Sequence, residues 1–195
     1  MGIIFLGGVS GVGKSSVAKE IAIKLPVMAL DGSSELMRHL NIPEGDYENL
    51  RNIAEVIKER AMQEIFCQIS QYYRAETAVI TGHFVKVLNG QIMSSYGLWY
   101  SYCAHLILIE CDGSAILDRI NDDQSNSKRI QRSLFNYDQS LGERISLIED
   151  AQRASYEIMM QASKEFCVPA IRVKNPQGKL SSTVESICHL IERRS

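Results

Sequence analysis

The sequence has no long apolar run, no motif of paired cysteines and no large excess of charge of either sign. No apolar stretch approaches the roughly 20 residues that a membrane helix requires, so we expect no membrane partner. The formal net charge of −2 argues against a nucleic acid held by bulk electrostatics. Because Gly2 already opens a strand pattern, we expect no signal peptide and a cytoplasmic location.

Cysteine usage excludes two further kinds of protein. The chain has five cysteines, an odd number, and no two of them are spaced as C-x-x-C. This pattern fits neither a disulfide framework nor a zinc site. Since the surrounding segments are apolar, we expect reduced thiols in or near the core at Cys67, Cys103, Cys111, Cys167 and Cys188.

Length and composition indicate an ordinary globular domain. The 195 residues suffice for a hydrophobic core, and 45% hydrophobic with 23% charged residues is typical of soluble proteins. The chain contains neither an internal repeat nor a low-complexity tract. We expect a single domain over residues 1–195, and the sequence is compatible with a homo-oligomer.

A phosphate-binding motif lies between the first strand pattern and the first helix pattern. The segment from Gly8 to Ser15 reads GVSGVGKS and fits the P-loop pattern G-x-x-x-x-G-K-[ST]. The motif predicts that Lys14 bridges the β- and γ-phosphates and that the Ser15 hydroxyl ligates Mg²⁺. A glycine-rich turn with an accidental Lys-Ser pair is the structural alternative. We expect a nucleoside triphosphate to be held by Gly8, Val9, Ser10, Gly11, Val12, Gly13, Lys14, Ser15 and Ser16.

Hydrophobic periodicity predicts strands that alternate with helices. The predicted strands cover residues 2–7, 26–30, 77–81, 105–110 and 169–173. The predicted helices cover residues 16–25, 35–40, 47–73, 114–121, 141–165 and 180–193, and Ser33 or Ser34 caps the second. Residues 84–101 are expected to form a loop and a short helix. The alternation predicts an α/β fold of the P-loop NTPase type, with a five-stranded parallel sheet between two helical layers and a short lid at approximately residues 122–138.

Polar residues follow several predicted strands, at the edge of the sheet where the remaining chemistry is expected. Asp31 follows the second strand, and its carboxylate either ligates Mg²⁺ through water, accepts a proton from an acceptor hydroxyl, or caps the next helix. His83 follows the third strand and either contacts the acceptor or is satisfied by local backbone. The sequence leaves these alternatives open.

Short motifs in a fixed order resemble the nucleoside monophosphate kinases, and most closely the archaeal-type adenylate kinases. The likeness extends over nearly the whole chain, although the P-loop alone is highly specific. Besides the P-loop, it rests on Asp31-Gly32-Ser33, Leu50-Arg51, Thr81-Gly82-His83, Ile116-Leu117-Asp118-Arg119, Arg153-Ala154-Ser155-Tyr156 and Arg172-Val173-Lys174-Asn175.

The resemblance implies roles for residues beyond the P-loop. Arg119 would lie near the ATP base, and Asn175 would belong to the adenine-facing loop. Arg129 and Arg132 in the lid, and Arg153 on the following helix, would stabilise the transferred phosphoryl group. A solvated basic turn and a salt-bridged surface residue are the alternatives for the lid arginines and for Arg153, respectively. The acceptor site would be built from Ser33, Arg38, Arg51 and His83.

Several positions depart from the pattern of this family. Thr81 stands where an aspartate usually ends the third strand, and Val85 and Lys86 stand near the place of a usual arginine. The lid begins with Asp122 and Asp123, where arginines would be expected.

The resemblance implies an enzyme that transfers the γ-phosphate of ATP, with Mg²⁺, to a small-molecule acceptor, with AMP as the first expectation. Asp31 is unusual for those relatives and would suit transfer to a hydroxyl. A kinase of a nucleoside or small hydroxyl metabolite, with Asp31 as base, is therefore the alternative. An ATP-binding regulatory module with little turnover is an alternative of another class.

Overall fold

The computed structural model describes residues 2–72, 76–124 and 134–192. In these ranges the strands are β1 Ile3–Gly7, β2 Val27–Asp31, β3 Thr77–Gly82, β4 Val85–Leu88, β5 Gln91–Ser94, β6 Cys103–Glu110 and β7 Ala170–Lys174. The α-helices are α1 Lys14–Lys24, α2 Gly32–His39, α3 Tyr47–Asn52, α4 Glu55–Tyr72, α5 Gly113–Gln124, α6 Leu141–Phe166 and α7 Leu180–Glu192. A 3-10 helix covers Leu98–Tyr102.

Five of the strands form one parallel sheet in the order β2-β3-β1-β6-β7. The central strand β1 pairs with β3 and β6, so that Gly7 lies opposite Gly82. On the other side of β3, Asp31 at the end of β2 lies opposite Thr81. The predicted P-loop NTPase fold is therefore confirmed, and the carboxyl ends of these strands meet at one edge.

The two faces of the sheet bury separate apolar layers because side chains alternate along a strand. In β1, Ile4 and Leu6 pack into a cluster with residues of α1, α5 and α7. Ile3 and Phe5 point the opposite way, into an aromatic-rich cluster with residues of α4 and the 3-10 helix. Full burial on both faces explains why β1 is a continuous apolar run in the sequence.

The segment after β3 differs from the prediction of a loop and a short helix. It begins with an antiparallel hairpin of β4 and β5, and the 3-10 helix follows. Asn89 and Gly90 connect the strands with φ of 48° and 73°. Two left-handed residues in a two-residue turn give the twist that a hairpin requires, and Asn-Gly is the dipeptide best suited to them. This dipeptide, flanked by apolar residues, was the sequence signal for the hairpin.

The predicted helix over residues 47–73 is two helices in the structure. Ile53 takes an extended conformation after α3, and a new helix begins at Glu55. The side chain of Lys58 is buried and donates through Nζ to the carbonyl oxygen of Arg51 at 3.2 Å. Lys58 thus satisfies a terminal carbonyl of α3 that a continuous helix would have satisfied from its own backbone. None of the helices in the described ranges combines the length and apolar character needed to cross a membrane.

Asp31, and not Ser33 or Ser34, caps α2. Its Oδ1 accepts a hydrogen bond from the backbone N–H of Ser34 at 3.0 Å. The prediction of a serine cap was wrong because the helix begins earlier, at Gly32. Aspartate is as good a capping residue as serine, since its carboxylate accepts well and favours the positive end of the helix.

All five cysteines are free thiols, but they differ in exposure. Cys103 and Cys188 are buried, as predicted, and burial raises the pKa of both thiols. Cys167 is exposed, so the expectation of a core position was wrong there. It ends α6 in the left-handed conformation, with φ 54° and ψ 35°.

Replacing Cys167 by glycine should stabilise the fold, because glycine adopts this conformation without the Cβ repulsion that other residues meet. We expect Cys167→Gly to raise the free energy of unfolding by about 0.5–1 kcal/mol. Thermal and urea unfolding would measure the change. The matched control is Cys67→Gly within α4, which should lower stability by about 1 kcal/mol. A lower melting temperature for Cys167→Gly would contradict the prediction.

Candidate active site

The P-loop brings its backbone into close contact with two neighbouring elements. Gly8 has φ +154°, and a Cβ there would lie 2.7 Å from the carbonyl oxygen of Ile109 at the end of β6. Gly13 has φ +98°, and a Cβ there would lie 2.6 Å from Nδ2 of Asn175. Both positions require glycine, because a side chain would be strained and would collide with its neighbour.

The first turn of α1 is free of competing side chains. The cap residue of α1 is Gly13, so no capping side chain accepts a hydrogen bond from the backbone N–H groups of the first turn. No acidic residue lies in that turn. In α2, α3 and α6, by contrast, an oxygen of the capping side chain occupies that position. Ser15 and Ser16 of this turn are exposed. Backbone N–H groups at the positive end of a helix suit an anion such as phosphate.

Lys14 places its ammonium group inside the curve of the P-loop. Its Nζ donates to the carbonyl oxygens of Gly8 at 2.9 Å and Val9 at 2.8 Å, and the residue is only 9% exposed. A buried cation beside the amides of α1 adds to their attraction for phosphate. Its predicted bridging of the β- and γ-phosphates stays a prediction.

Arg119 and Asn175 both donate hydrogen bonds to one carbonyl oxygen of the P-loop. The Val12 carbonyl accepts from Asn175 Nδ2 at 2.9 Å and from an Arg119 guanidinium nitrogen at 3.2 Å. The other terminal nitrogen of Arg119 donates to the Asn175 carbonyl at 3.3 Å. Both residues were predicted near the adenine base, and that role stays a prediction. What the structure adds is their contact with the loop.

Thr183 adds a contact to Asn175, and no sequence signal singled it out. Its buried hydroxyl lies 3.2 Å from Asn175 Oδ1 and 3.1 Å from the carbonyl oxygens of Lys174 and Lys179. Thr183 lies in the first turn of α7, so the final helix contributes to the P-loop through Asn175. A threonine in an amphipathic helix carries no signal for such a contact.

His83 contacts the P-loop from the side of β3. Its Nδ1 lies 2.9 Å from the carbonyl oxygen of Gly8, which also accepts from Lys14. Because a carbonyl only accepts, Nδ1 carries the proton in this bond. This arrangement corresponds to the alternative in which nearby backbone satisfies the ring. The predicted contact with an acceptor stays a prediction.

Asp31 and Thr81 form a pair at the ends of β2 and β3. The Thr81 hydroxyl donates to Asp31 Oδ2 at 3.2 Å, while Asp31 Oδ1 caps α2. Thr81 is buried and Asp31 is exposed. Asp31 at the end of β2 therefore places a carboxylate beside Thr81 on β3. Thr81 is the position where the nucleoside monophosphate kinases usually carry an aspartate.

The other residues predicted for the acceptor lie on α2 and α3. Ser33 is half-buried in the first turn of α2, next to Asp31. Arg38 is at the exposed surface of α2, where it pairs with Glu35. Arg51 is half-buried in the last turn of α3. The structure therefore groups Ser33 with Asp31, and it places Arg38 on the surface of the same helix.

Two lysines surround Glu55 where α4 meets the hairpin. Glu55 lies 2.7 Å from Lys58 Nζ and 3.3 Å from Lys86 Nζ. Partial burial raises the pKa of Glu55, but the hydrogen bonds and charges of the lysines outweigh it and hold that pKa below its usual value. The ion pairs join the start of α4 to β4, which follows His83 in the chain.

Arg153 is an exposed side chain on α6, paired with Asp150 at 3.2 Å. This is the salt-bridged surface arrangement that was the alternative to a catalytic role. Arg129 and Arg132 lie outside the described residues, as does most of the predicted lid. The lid's first residues, from Asp122, form the last turn of α5.

Gln152 was missed by sequence analysis although it fixes one strand end. Its side-chain amide makes two hydrogen bonds to the backbone of Cys111, one to N–H at 3.0 Å and one to C=O at 2.9 Å. These bonds hold the chain between β6 and α5. Gln152 also lines an open cavity of about 190 Å³ together with Glu110, Cys111, Asp112, Lys174 and Pro176.

A family model described as AAA domain matches residues 7–134, which is more than half of the chain. The match includes the P-loop, Asp31, Thr81 and His83. A comparison with curated proteins finds no match. The closer resemblance to archaeal-type adenylate kinases stays a prediction.

Solved structures with a similar fold include three shikimate kinases. The enzyme from Acinetobacter baumannii, solved in complex with shikimate, is 15% identical with a TM-score of 0.63, over 100% of this chain and 95% of its own. The Bacteroides thetaiotaomicron enzyme is 15% identical with a TM-score of 0.62, over 97% and 98% of the two chains. The Aquifex aeolicus enzyme is 19% identical with a TM-score of 0.60, over 98% and 97%. At these identities the likeness shows the fold alone.

Replacing Asn175 by aspartate should damage the P-loop. The change removes the N–H donor to the Val12 carbonyl and puts a buried negative charge beside the loop. We expect ATP binding to weaken about tenfold or more and unfolding stability to fall by about 1–3 kcal/mol. Calorimetric titration and urea unfolding would measure both. Asn41→Asp, the same change at an exposed position, is the control, and equal effects of the two variants would refute this role.

Proposed function

Since the chain belongs to the AAA domain family and shares the fold of shikimate kinases, we propose that it transfers the γ-phosphoryl group of ATP to a small molecule. The P-loop carries the donor half of this proposal. The glycines let the loop backbone curve, and no side chain caps the start of α1. The Lys14 ammonium lies inside this curve. These three features together suit the binding of a polyphosphate. Phosphoryl transfer needs positioning and cationic stabilisation, which such a loop provides.

A magnesium ion fits the same loop. Ser15 is exposed in the first turn of α1, directly after Lys14, so its hydroxyl can ligate a cation that also contacts the phosphates. When bound, Mg²⁺ neutralises charge on the phosphate oxygens. No acidic side chain in the first turn of α1 repels the phosphates.

For the acceptor, the pair of Asp31 and Thr81 carries the proposal of a hydroxyl-bearing small metabolite. Thr81 and the N–H of Ser34 orient the Asp31 carboxylate at the edge of the sheet where the P-loop opens. A fixed, exposed carboxylate can accept the proton of an attacking hydroxyl. The shikimate complex of a structural neighbour agrees with a small-molecule acceptor.

A nucleoside monophosphate such as AMP is the second candidate acceptor. Its phosphate would need cations, and Lys58 and Lys86 lie where α4 meets the hairpin, both paired with Glu55. Arg51 is near them through its main-chain carbonyl, which accepts from Lys58. Ser33 beside Asp31 could donate to the same phosphate. Against this candidate, Arg38 is at the surface and paired with Glu35.

The Lys14→Ala variant tests the donor half. We expect the rate of ATP-dependent phosphoryl transfer to fall about 100-fold or more, because the cation of the P-loop is lost. The assay couples ADP release to a panel of acceptors and includes a thermal melt to verify folding. Lys19→Ala, at an exposed position of the same helix, should leave the rate unchanged. Retained activity in folded Lys14→Ala would overturn the assignment.

The Asp31→Asn variant tests the acceptor half. Asparagine also caps helices, so α2 should remain folded while the proton acceptor is lost. We expect kcat with a hydroxyl acceptor to fall about 100-fold or more. Asp46→Asn, the same change at the cap of α3, is the matched control. The panel should contain nucleosides, sugars and AMP.

The panel also separates the alternatives. Transfer to AMP with full activity of Asp31→Asn would favour the nucleotide kinase. Tight ATP binding without transfer to any acceptor would favour a regulatory module with little turnover.

A further inference from the structure

One carbonyl oxygen of the P-loop receives hydrogen bonds from two sides of the site. The Gly8 carbonyl accepts from Lys14 Nζ at 2.9 Å and from His83 Nδ1 at 2.9 Å. Lys14 reaches it from α1, within the loop, whereas His83 reaches it from the residue after β3. A carbonyl oxygen has two lone pairs, so both donors can be accommodated.

The backbone fixes His83 in this place. Gly82, the residue before it, is paired with Gly7 in the sheet. Phe84, the residue after it, is fully buried and stacks on Tyr100 with ring centroids 5.7 Å apart. A Cβ on Gly7 would lie 2.2 Å from the Phe84 ring, so this ring packs directly against the strand that leads into the P-loop. The main chain at His83 is therefore held beside the P-loop, within reach of the Gly8 carbonyl.

We propose that His83 is a positioning residue that holds the Gly8 carbonyl and thereby sets the position from which Lys14 reaches the phosphates. The proposal rests on the proposed function and adds that Lys14 turns its ammonium from the Gly8 and Val9 carbonyl oxygens to a triphosphate when one binds. When Lys14 turns to the phosphates, its bond to Gly8 weakens, and His83 continues to donate to that carbonyl. The Gly8 carbonyl then keeps a donor without the lysine, and the cost of leaving it unsatisfied is avoided.

The two ring nitrogens of His83 allow a sharp test. Asparagine can place its amide N–H near the position of Nδ1, and glutamine can place its amide N–H near that of Nε2. If the bond to Gly8 is what matters, His83→Asn should retain function and His83→Gln should not. If His83 instead contacts the acceptor through Nε2, the order of the two variants reverses.

The experiment compares wild type, His83→Ala, His83→Asn and His83→Gln. The readouts are the dissociation constant for ATP with Mg²⁺, measured by calorimetry, and kcat and KM with the best acceptor of the panel. We expect Ala and Gln to weaken ATP binding and lower kcat about tenfold or more, with the KM of the acceptor changed little. Asn should remain within about threefold of wild type, since it restores the donor. Thermal melts report whether each variant folds.

Each outcome decides between the proposals. Rescue by Gln and not by Asn, or a large rise in acceptor KM alone, would overturn the positioning role while the kinase assignment stands. A wild-type protein that binds ATP but transfers nothing would overturn the proposed function, and the calorimetric series would still test His83. Equal ATP binding in all four proteins would refute the inference.

Discussion

The candidate active site depends on the close packing of neighbouring groups against the backbone of the P-loop. Gly8 passes so near the backbone carbonyl of Ile109 that no side chain fits, and Gly13 passes similarly near the side-chain amide of Asn175. These contacts fix the curve of the P-loop between the central strand and α1 before any ligand binds. A loop that is already shaped loses little entropy on binding, which is the main advantage that an enzyme obtains from such rigidity.

Single carbonyl oxygens connect this loop to distant parts of the chain. Val12 accepts from Arg119 on α5 and from Asn175 after β7, while Gly8 accepts from Lys14 and from His83 after β3. Each contact is an ordinary hydrogen bond of modest net energy. Together they make the P-loop the point where the elements after β3, β6 and β7 meet.

Much of the fold could be predicted because the signals are local. Apolar runs and helical spacing indicated the five sheet strands and the long helix α6, which was expected at 141–165 and is observed at Leu141–Phe166. The hairpin was missed although Asn89-Gly90 is a local signal. The break between α3 and α4 was missed for a different reason: buried Lys58 stabilises it through the Arg51 carbonyl, a contact that periodicity does not reveal.

The sequence by itself determined the P-loop and the order of the elements, because the glycine spacing and the apolar periods are properties of neighbouring residues. It also indicated Asp31, Thr81 and His83 as candidate site residues, because they lie at the ends of predicted strands. Only the tertiary structure decided what these side chains contact: Thr81 orients Asp31, His83 binds Gly8, and Arg153 pairs with Asp150 at the surface. These contacts depend on which strands lie side by side. The sequence does not reveal this, because the strand order in the sheet, β2-β3-β1-β6-β7, differs from the order in the chain.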